Sequence, residues 1–147
     1  MNIDYSGWRH LKEMMEGYED EYVCTSGIAT VPVDKIVGLT YETGLRQERL
    51  DKIEKSIKAN GYDPKRFGND IDLILFPNGE YCVQSNGNHR TYFAKKTGMK
   101  TVEANVDVIV PKSSLSQNQI NSIESLGDFW KRSDKLIEIA KELGLIP

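Results

Sequence analysis

The chain has 147 residues, of which 39% are hydrophobic and 28% charged, proportions typical of one globular domain. Its longest apolar runs, such as residues 106–110, are far shorter than the roughly 20 residues that cross a bilayer, and its first residues lack the basic start of a secretion signal. We therefore expect a cytoplasmic protein with no membrane segment. The net charge of −3 excludes a protein that coats nucleic acid through a broadly basic surface.

Cysteine and histidine are scarce in this chain, which holds Cys24, Cys82, His10 and His89. Two cysteines are too few for a disulfide scaffold, and the four side chains are not spaced as zinc ligands. Cys82 lies within an apolar, strand-like pattern, which favours a small buried side chain over a nucleophile. We therefore expect no metal site.

The acidity is concentrated at the N-terminus, since residues 1–30 hold six acidic and two basic side chains. Five apolar side chains recur there at helical spacing: Trp8, Leu11, Met15, Tyr18 and Tyr22. With Ser6 as its N-cap, this pattern predicts an amphipathic helix. We interpret residues 1–30 as a helical extension that packs on its own domain or binds a partner.

The central part of the chain, residues 31–111, combines strand and helix patterns. Strands are predicted at residues 31–36, 71–76, 80–84 and 102–110, and helices at residues 46–60 and 88–97. The turn Pro77-Asn78-Gly79 joins the two middle strands into a hairpin. Residues 112–147 predict further helices packed on the same domain. This order of elements predicts a compact α+β domain with helical ends.

The segment Gly87-Asn88-His89-Arg90 lies where a predicted strand gives way to the first turn of a predicted helix. A helix N-terminus offers unpaired N–H groups, a glycine lets a phosphate approach the main chain, and Arg90 offers a planar fork of donors. His89 can donate to a phosphate or transfer a proton near neutral pH. The segment predicts a phosphate-binding turn; the alternative is an ordinary turn followed by surface side chains.

A second polar motif lies on the predicted helix over residues 46–60. Arg49, Lys52 and Ser56 follow one another at positions i, i+3 and i+7, which places them on one face of the helix. We expect this cationic stripe to face the same anion as the turn at Gly87. The alternative, a solvated helix surface, accounts better for Lys55 and Lys58.

Together these motifs resemble the ParB/sulfiredoxin superfamily, whose small α/β fold, a mixed sheet with flanking helices, binds nucleotide phosphates at a strand-to-helix turn. The resemblance covers roughly residues 31–110: the entry strand, the helix that ends at Asn60-Gly61, the hairpin and the turn at Gly87. It implies a nucleotide ligand, ATP or CTP, accompanied by Mg²⁺. The nucleotide-binding residues that it implies are Arg49, Lys52, Ser56, Gly87, Asn88, His89 and Arg90.

The chain also departs from both branches of this superfamily. Sulfiredoxins have Gly-Cys-His-Arg at the turn, and Asn88 stands where their nucleophilic cysteine would be, which argues against repair of sulfinic acids. ParB partition proteins continue with a Glu-Asn-x-x-Arg box and a helix-turn-helix DNA reader, whereas residues 112–130 show no such box. This argues against a CTP-gated clamp for chromosome segregation.

Some relatives in this superfamily phosphorylate small molecules and others are ATPases or nucleases. Phosphoryl transfer needs Mg²⁺ and usually a carboxylate near the nucleophile. The resemblance therefore makes Glu42, Glu48 and His89 the candidate catalytic residues, while the alternative for both glutamates is an exposed loop charge. We interpret Asp70 and Asp72, beside the hairpin, as surface carboxylates and not as metal ligands.

Three functions remain open from the sequence. The first is nucleotide binding, with phosphotransferase or NTP hydrolase activity. The second is a DNA-binding or DNA-cleaving module, because residues 45–66 carry seven basic and four acidic side chains. The third is an interaction protein with a vestigial pocket, which contacts a partner or a second copy through the N-terminal aromatic stripe or through Phe129-Trp130. A bacterial or mobile-element accessory protein fits this third hypothesis.

Overall fold

The computed structural model describes residues 3–63 and 70–146. It shows an α+β domain, as the sequence predicts. In chain order the elements are β1 (Arg9–His10), α1 (Leu11–Met14), β2 (Tyr22–Pro32), β3 (Ile36–Leu39), α2 (Gln47–Asn60), β4 (Asp72–Leu75), β5 (Tyr81–Val83), α3 (Asn88–Lys96), β6 (Thr101–Val110), α4 (Gln117–Glu124) and α5 (Phe129–Glu142). None of the helices in the described part of the chain combines the length and apolarity that crossing a bilayer requires.

The six strands form one mixed sheet in the order β1-β3-β5-β4-β6-β2. The antiparallel pair of β4 and β5 confirms the predicted hairpin, and β6 confirms the predicted one-sided strand, since its buried and half-buried residues alternate along most of its length. The helix α2 spans nearly the whole predicted range and ends at Gly61, whose N–H donates to the carbonyl oxygen of Ile57. Local sequence patterns predict these elements, and their tertiary contacts stabilise them.

The predicted N-terminal amphipathic helix is wrong. Only Leu11–Met14 is α-helical, and Tyr22–Pro32 forms an edge strand that pairs with β6 along its length. The aromatic side chains reach different partners, since Trp8 lies 6.3 Å from the Tyr92 ring and Tyr18 lies 5.5 Å from the Phe76 ring. Their spacing matched a helix, but a short isolated helix is marginal in water, and pairing with β6 stabilises the chain from Tyr22 onwards as a strand instead.

Two further local predictions need correction. Ser6 caps no helix: its hydroxyl donates to the Asp4 carboxylate at 2.6 Å, and α1 begins after His10, whose side chain makes no cap bond. The strand predicted over residues 31–36 is divided, because β2 ends at Pro32 and a 3-10 turn over Val33–Lys35 precedes β3. Proline ends the strand there, since it has no N–H to donate to a neighbouring strand.

The position of the candidate site follows from the sheet order. The neighbouring strands β3 and β5 are parallel, so their carboxyl ends meet at one edge of the sheet. The loop at residues 40–46 leads from β3 to α2, and the loop at residues 84–87 leads from β5 to α3. The N-terminal ends of both helices therefore lie at the edge where open α/β sheets commonly bind ligands.

Candidate functional site

Gly87 forms the turn between β5 and α3, in a conformation that only glycine adopts readily. Its φ is +103°, and its carbonyl oxygen accepts the first helical hydrogen bond, from the N–H of Thr91 at 2.9 Å. A Cβ at this position would lie 2.7 Å from the Cα of Ile71. The backbone passes so close to the start of β4 that there is no room for a side chain.

The side chain of Asn88 fastens this turn to the neighbouring loop. Its Oδ1 accepts the N–H of Thr40 at 2.7 Å, and its Nδ2 donates to the Thr40 hydroxyl oxygen at 3.0 Å. The Thr40 hydroxyl in turn donates to the carbonyl oxygen of Val83 at 3.2 Å. Asn88 thus joins the ends of β3 and β5, and its amide is engaged in positioning the turn.

His89 connects the first turns of the two helices. Its Nε2 accepts the N–H of Arg46, the residue that precedes α2, at 2.9 Å. Burial, together with the nearby positive charges of Arg49 and Arg46, lowers the pKa of His89 below its ordinary value. Because Nε2 is the acceptor, the neutral imidazole carries its proton on Nδ1. His89 is therefore an uncharged clamp between α2 and α3.

One cleft of about 470 Å³ gathers most of the predicted binding residues. Its walls come from α2, from the start of β4 and from the turn at Gly87. The residues that line it are Arg49, Lys52, Ile53, Asp70, Asn86, Gly87, Asn88, His89 and Arg90. We call this space the cationic cleft, because three of its side chains carry a permanent positive charge.

A second cavity of about 220 Å³ adjoins the cationic cleft and shares Arg49 and residues 86–89 with it. Its other walls carry no charged side chain and are formed by Leu39, Tyr41, Thr43, Gly44, Leu45 and Ser85. Ser56, the last member of the predicted stripe, lies elsewhere. It lines a smaller cavity of about 130 Å³ that Ile53 and Arg90 also border.

The two glutamates predicted as catalytic candidates do not line these cavities. Glu42 places Oε1 2.9 Å from Nε2 of His10, and Glu48 lies 3.7 Å from Arg46. Their side chains are 73% and 70% exposed. The carboxylate that does line the cationic cleft is Asp70, a residue to which the sequence analysis gave no role. Asp70 follows α2 by ten residues and precedes α3 by 18, and no motif links it to either helix, so only the fold could reveal its place in the cleft.

Both cysteines are free and buried. Burial raises the pKa of Cys24 to about 11 and that of Cys82 to about 12, so neither is a thiolate at neutral pH. Cys82 is fully buried within β5, as its strand pattern predicts. In residues 3–63 and 70–146 there is no group of three or more His, Cys, Asp or Glu side chains arranged for a metal ion.

The surfaces proposed for macromolecular partners remain predictions. The basic stretch at residues 45–66 extends beyond the described residues at its C-terminal end. Phe129 and Trp130 are 63% and 67% exposed, and their rings meet edge to face with centroids 5.3 Å apart. Trp8 and Tyr18 pack on other aromatic rings of the same domain.

Comparisons with known proteins find similarity to solved structures. Neither a family profile nor a curated protein matches the chain. Among solved structures, it is similar to C-terminally truncated SbnI from Staphylococcus aureus, with 30% identity and a TM-score of 0.43, over 54% of this chain and 30% of that chain. It is also similar to the C-terminally truncated chromosome-partitioning protein ParB from Caulobacter crescentus complexed with CTP-gamma-S, with 22% identity and a TM-score of 0.42, over 70% of this chain and 54% of that chain. The chain thus spans less than two thirds of the length of either protein.

Proposed function

We propose that this chain is a nucleotide-binding protein of the ParB/sulfiredoxin type, whose cationic cleft holds the phosphates of a nucleoside triphosphate. The observation that carries the proposal is the convergence of Arg49 and Lys52 from α2 with Arg90 from α3 around one cleft. Three positive charges on one small concave surface repel one another, and an anion with several charges relieves that repulsion. The volume of about 470 Å³ is within the range of small-molecule sites.

The backbone around the cleft suits the same ligand. The N-termini of α2 and α3 lie at one edge of the sheet, and each contributes the positive end of its dipole and N–H groups without helical partners. These features favour phosphate over a carboxylate ligand, because phosphate accepts more hydrogen bonds and carries more negative charge.

The adjoining cavity suits the nucleoside end of the ligand. It shares the rim at residues 86–89 with the cationic cleft, and its remaining walls are uncharged. Tyr41 is 71% exposed at this cavity, where its ring is accessible for stacking on a base. We propose ATP or CTP as the ligand. Any Mg²⁺ would be held chiefly by the phosphate oxygens and water, the usual arrangement for nucleotides.

The proposed function is binding of a nucleotide, without its hydrolysis or the transfer of its phosphoryl group. The candidate bases Glu42 and Glu48 are exposed and lie outside the cavities that the turn at Gly87 borders. His89 is already an acceptor for the N–H of Arg46, so taking a proton from a substrate would require it to give up this bond. The geometry therefore supports a phosphate-binding role for the cleft better than phosphoryl transfer or hydrolysis.

Isothermal titration calorimetry of the full chain with ATP, CTP and inorganic tripolyphosphate, with and without Mg²⁺, tests the proposal. Replacing Lys52 by Ala should weaken binding about tenfold, the cost of a lost charge-assisted hydrogen bond. Lys55→Ala is the matched control, because Lys55 lies on the same helix but lines none of the cavities described above. Equal affinities of the two variants, or no binding of any of the three ligands, would contradict the proposal.

A further inference from the structure

Asp70 and Arg90 face each other across the cationic cleft. Asp70 lies just before β4 and Arg90 lies in the first turn of α3, and both line the cleft. The Asp70 Oδ2 is 3.3 Å from Nη2 of Arg90. An acidic side chain thus contacts one of the cations that the proposed ligand would need.

We propose that Asp70 sets the affinity of the cleft by competing with a phosphate group for the guanidinium of Arg90. This inference rests on the proposed function and adds a residue that tunes it. A guanidinium binds carboxylates and phosphates through the same N–H donors, so Asp70 at Nη2 competes with a phosphate for that donor. When a phosphate takes the Nη2 donor, the Asp70 carboxylate must move away, and its charge repels the incoming anion.

The ion pair between Asp70 and Arg90 can break without much loss of stability when a phosphate binds. The side chain of Asp70 is 70% exposed and that of Arg90 is 29% exposed, and ion pairs this close to solvent add little to the stability of a fold. The neighbouring carboxylate of Asp72 contrasts with it, since Asp72 accepts the Ser85 hydroxyl at 2.8 Å and lies in the sheet. Asp72 supports the loop at residues 84–87, whereas Asp70 contacts Arg90 at the cleft wall.

Removal of the Asp70 charge should therefore tighten binding. Asp70→Asn should lower the Kd for inorganic tripolyphosphate about three- to fivefold at about 50 mM salt without Mg²⁺, the fold-change that a surface ion pair accounts for. The gain should shrink at about 0.5 M salt, since screening weakens the competition. Asp134→Asn makes the same change of charge on α5, at a residue outside the cationic cleft, and should leave the Kd within about twofold.

A double-mutant cycle identifies the partner through which Asp70 acts. If Asp70 competes for Arg90, the gain from Asp70→Asn should fall below about twofold in an Arg90→Gln background, because the shared guanidinium is gone. The same measurement with pyrophosphate in place of tripolyphosphate should give a smaller absolute affinity but the same dependence on Arg90. Circular dichroism and urea unfolding of each variant verify that the fold is unchanged.

The outcomes separate this inference from the proposed function. Tighter binding by Asp70→Asn that depends on Arg90 supports the competition. Binding by the original chain that Asp70→Asn leaves unchanged or weakens overturns the inference while the proposed function stands. A loss of affinity in Asp70→Asn confined to Mg²⁺-containing buffer also overturns it, and assigns Asp70 to the metal instead. If neither the original chain nor Asp70→Asn binds tripolyphosphate, ATP or CTP, both the proposed function and this inference fail.

Discussion

Replacement of Gly87 by alanine tests whether the close approach of Ile71 requires glycine at this turn. The substitution adds one methyl group to a residue whose φ is +103°. That methyl would lie 2.7 Å from the Cα and 2.9 Å from the Cγ1 of Ile71. Ile71 is fully buried, and its carbonyl oxygen accepts the N–H of Asn105 at 2.9 Å. The chain therefore cannot relieve the clash by moving one flexible side chain.

The expected loss of stability has two parts. A non-glycine residue in a left-handed conformation costs about 1–2 kcal/mol. Overpacking against a rigid part of the core costs about another 1–3 kcal/mol. The sum, about 2–5 kcal/mol, is a large fraction of the ~5–15 kcal/mol that stabilises an ordinary domain. Gly98→Ala isolates the first part, because Gly98 has a φ of +75° at the other end of α3 but nothing within 4 Å of its missing Cβ.

Urea unfolding followed by circular dichroism measures both substitutions on the same scale. We expect Gly98→Ala to lower the free energy of unfolding by about 1–2 kcal/mol, from the strained backbone alone. Gly87→Ala should lower it by about 1–3 kcal/mol more than that, from the contact with Ile71. Equal losses for the two variants would refute the argument that the close approach of Ile71 requires glycine at position 87.

Three further predictions concern Asn88, His89 and the two cysteines. Asn88→Ala should lower the free energy of unfolding by about 1–3 kcal/mol, since it leaves the half-buried N–H of Thr40 without its acceptor; an unchanged urea midpoint would contradict this. The free energy of unfolding should fall as the pH drops below about 6.5, the ordinary pKa of histidine, because the folded chain holds His89 with a lowered pKa and binds fewer protons than the unfolded chain. In His89→Gln the difference in free energy between about pH 7.5 and about pH 5.5 should be smaller than in the original chain, and an equal difference would count against His89 as the source. Cys24 and Cys82 should react with a thiol reagent in the native protein far more slowly than in urea, because burial keeps both thiols protonated; rapid labelling of the folded chain would show that the sheet does not enclose them.

The elements that the sequence predicts correctly are those whose signal is local. The helix α2 has an apolar stripe and a glycine stop, the hairpin of β4 and β5 has its turn residues, and β6 has an alternating pattern. In each case the residues that define the element are neighbours along the chain. The prediction for the N-terminal region failed for the opposite reason: β2 forms through pairing with β6, more than 60 residues away in sequence, and the helical spacing from Trp8 to Tyr22 gave no sign of it.

The candidate site likewise has one part that the sequence indicates and another that only the fold shows. The segment Gly87-Asn88-His89-Arg90 and the stripe with Arg49 and Lys52 were each visible as short motifs, but only the packing of α2 beside α3 brings them to one cleft. Asn88 and His89 hold the turn in place through hydrogen bonds to residues more than 40 positions away. No rule of sequence spacing indicates such bonds.

The length, composition and net charge of −3 excluded a broadly basic nucleic-acid coat, and they still do. Average charge says nothing about where individual charges meet, because electrostatic interactions depend on distance in the folded chain. The sequence by itself determined the helices α2 and α3, the hairpin of β4 and β5, and the turn at Gly87. Tertiary structure alone decided that Glu42 and Glu48 stay at the surface and that Asp70 faces Arg90, since the parallel pairing of β3 with β5 and the antiparallel pairing of β4 with β5 control which loops share an edge of the sheet.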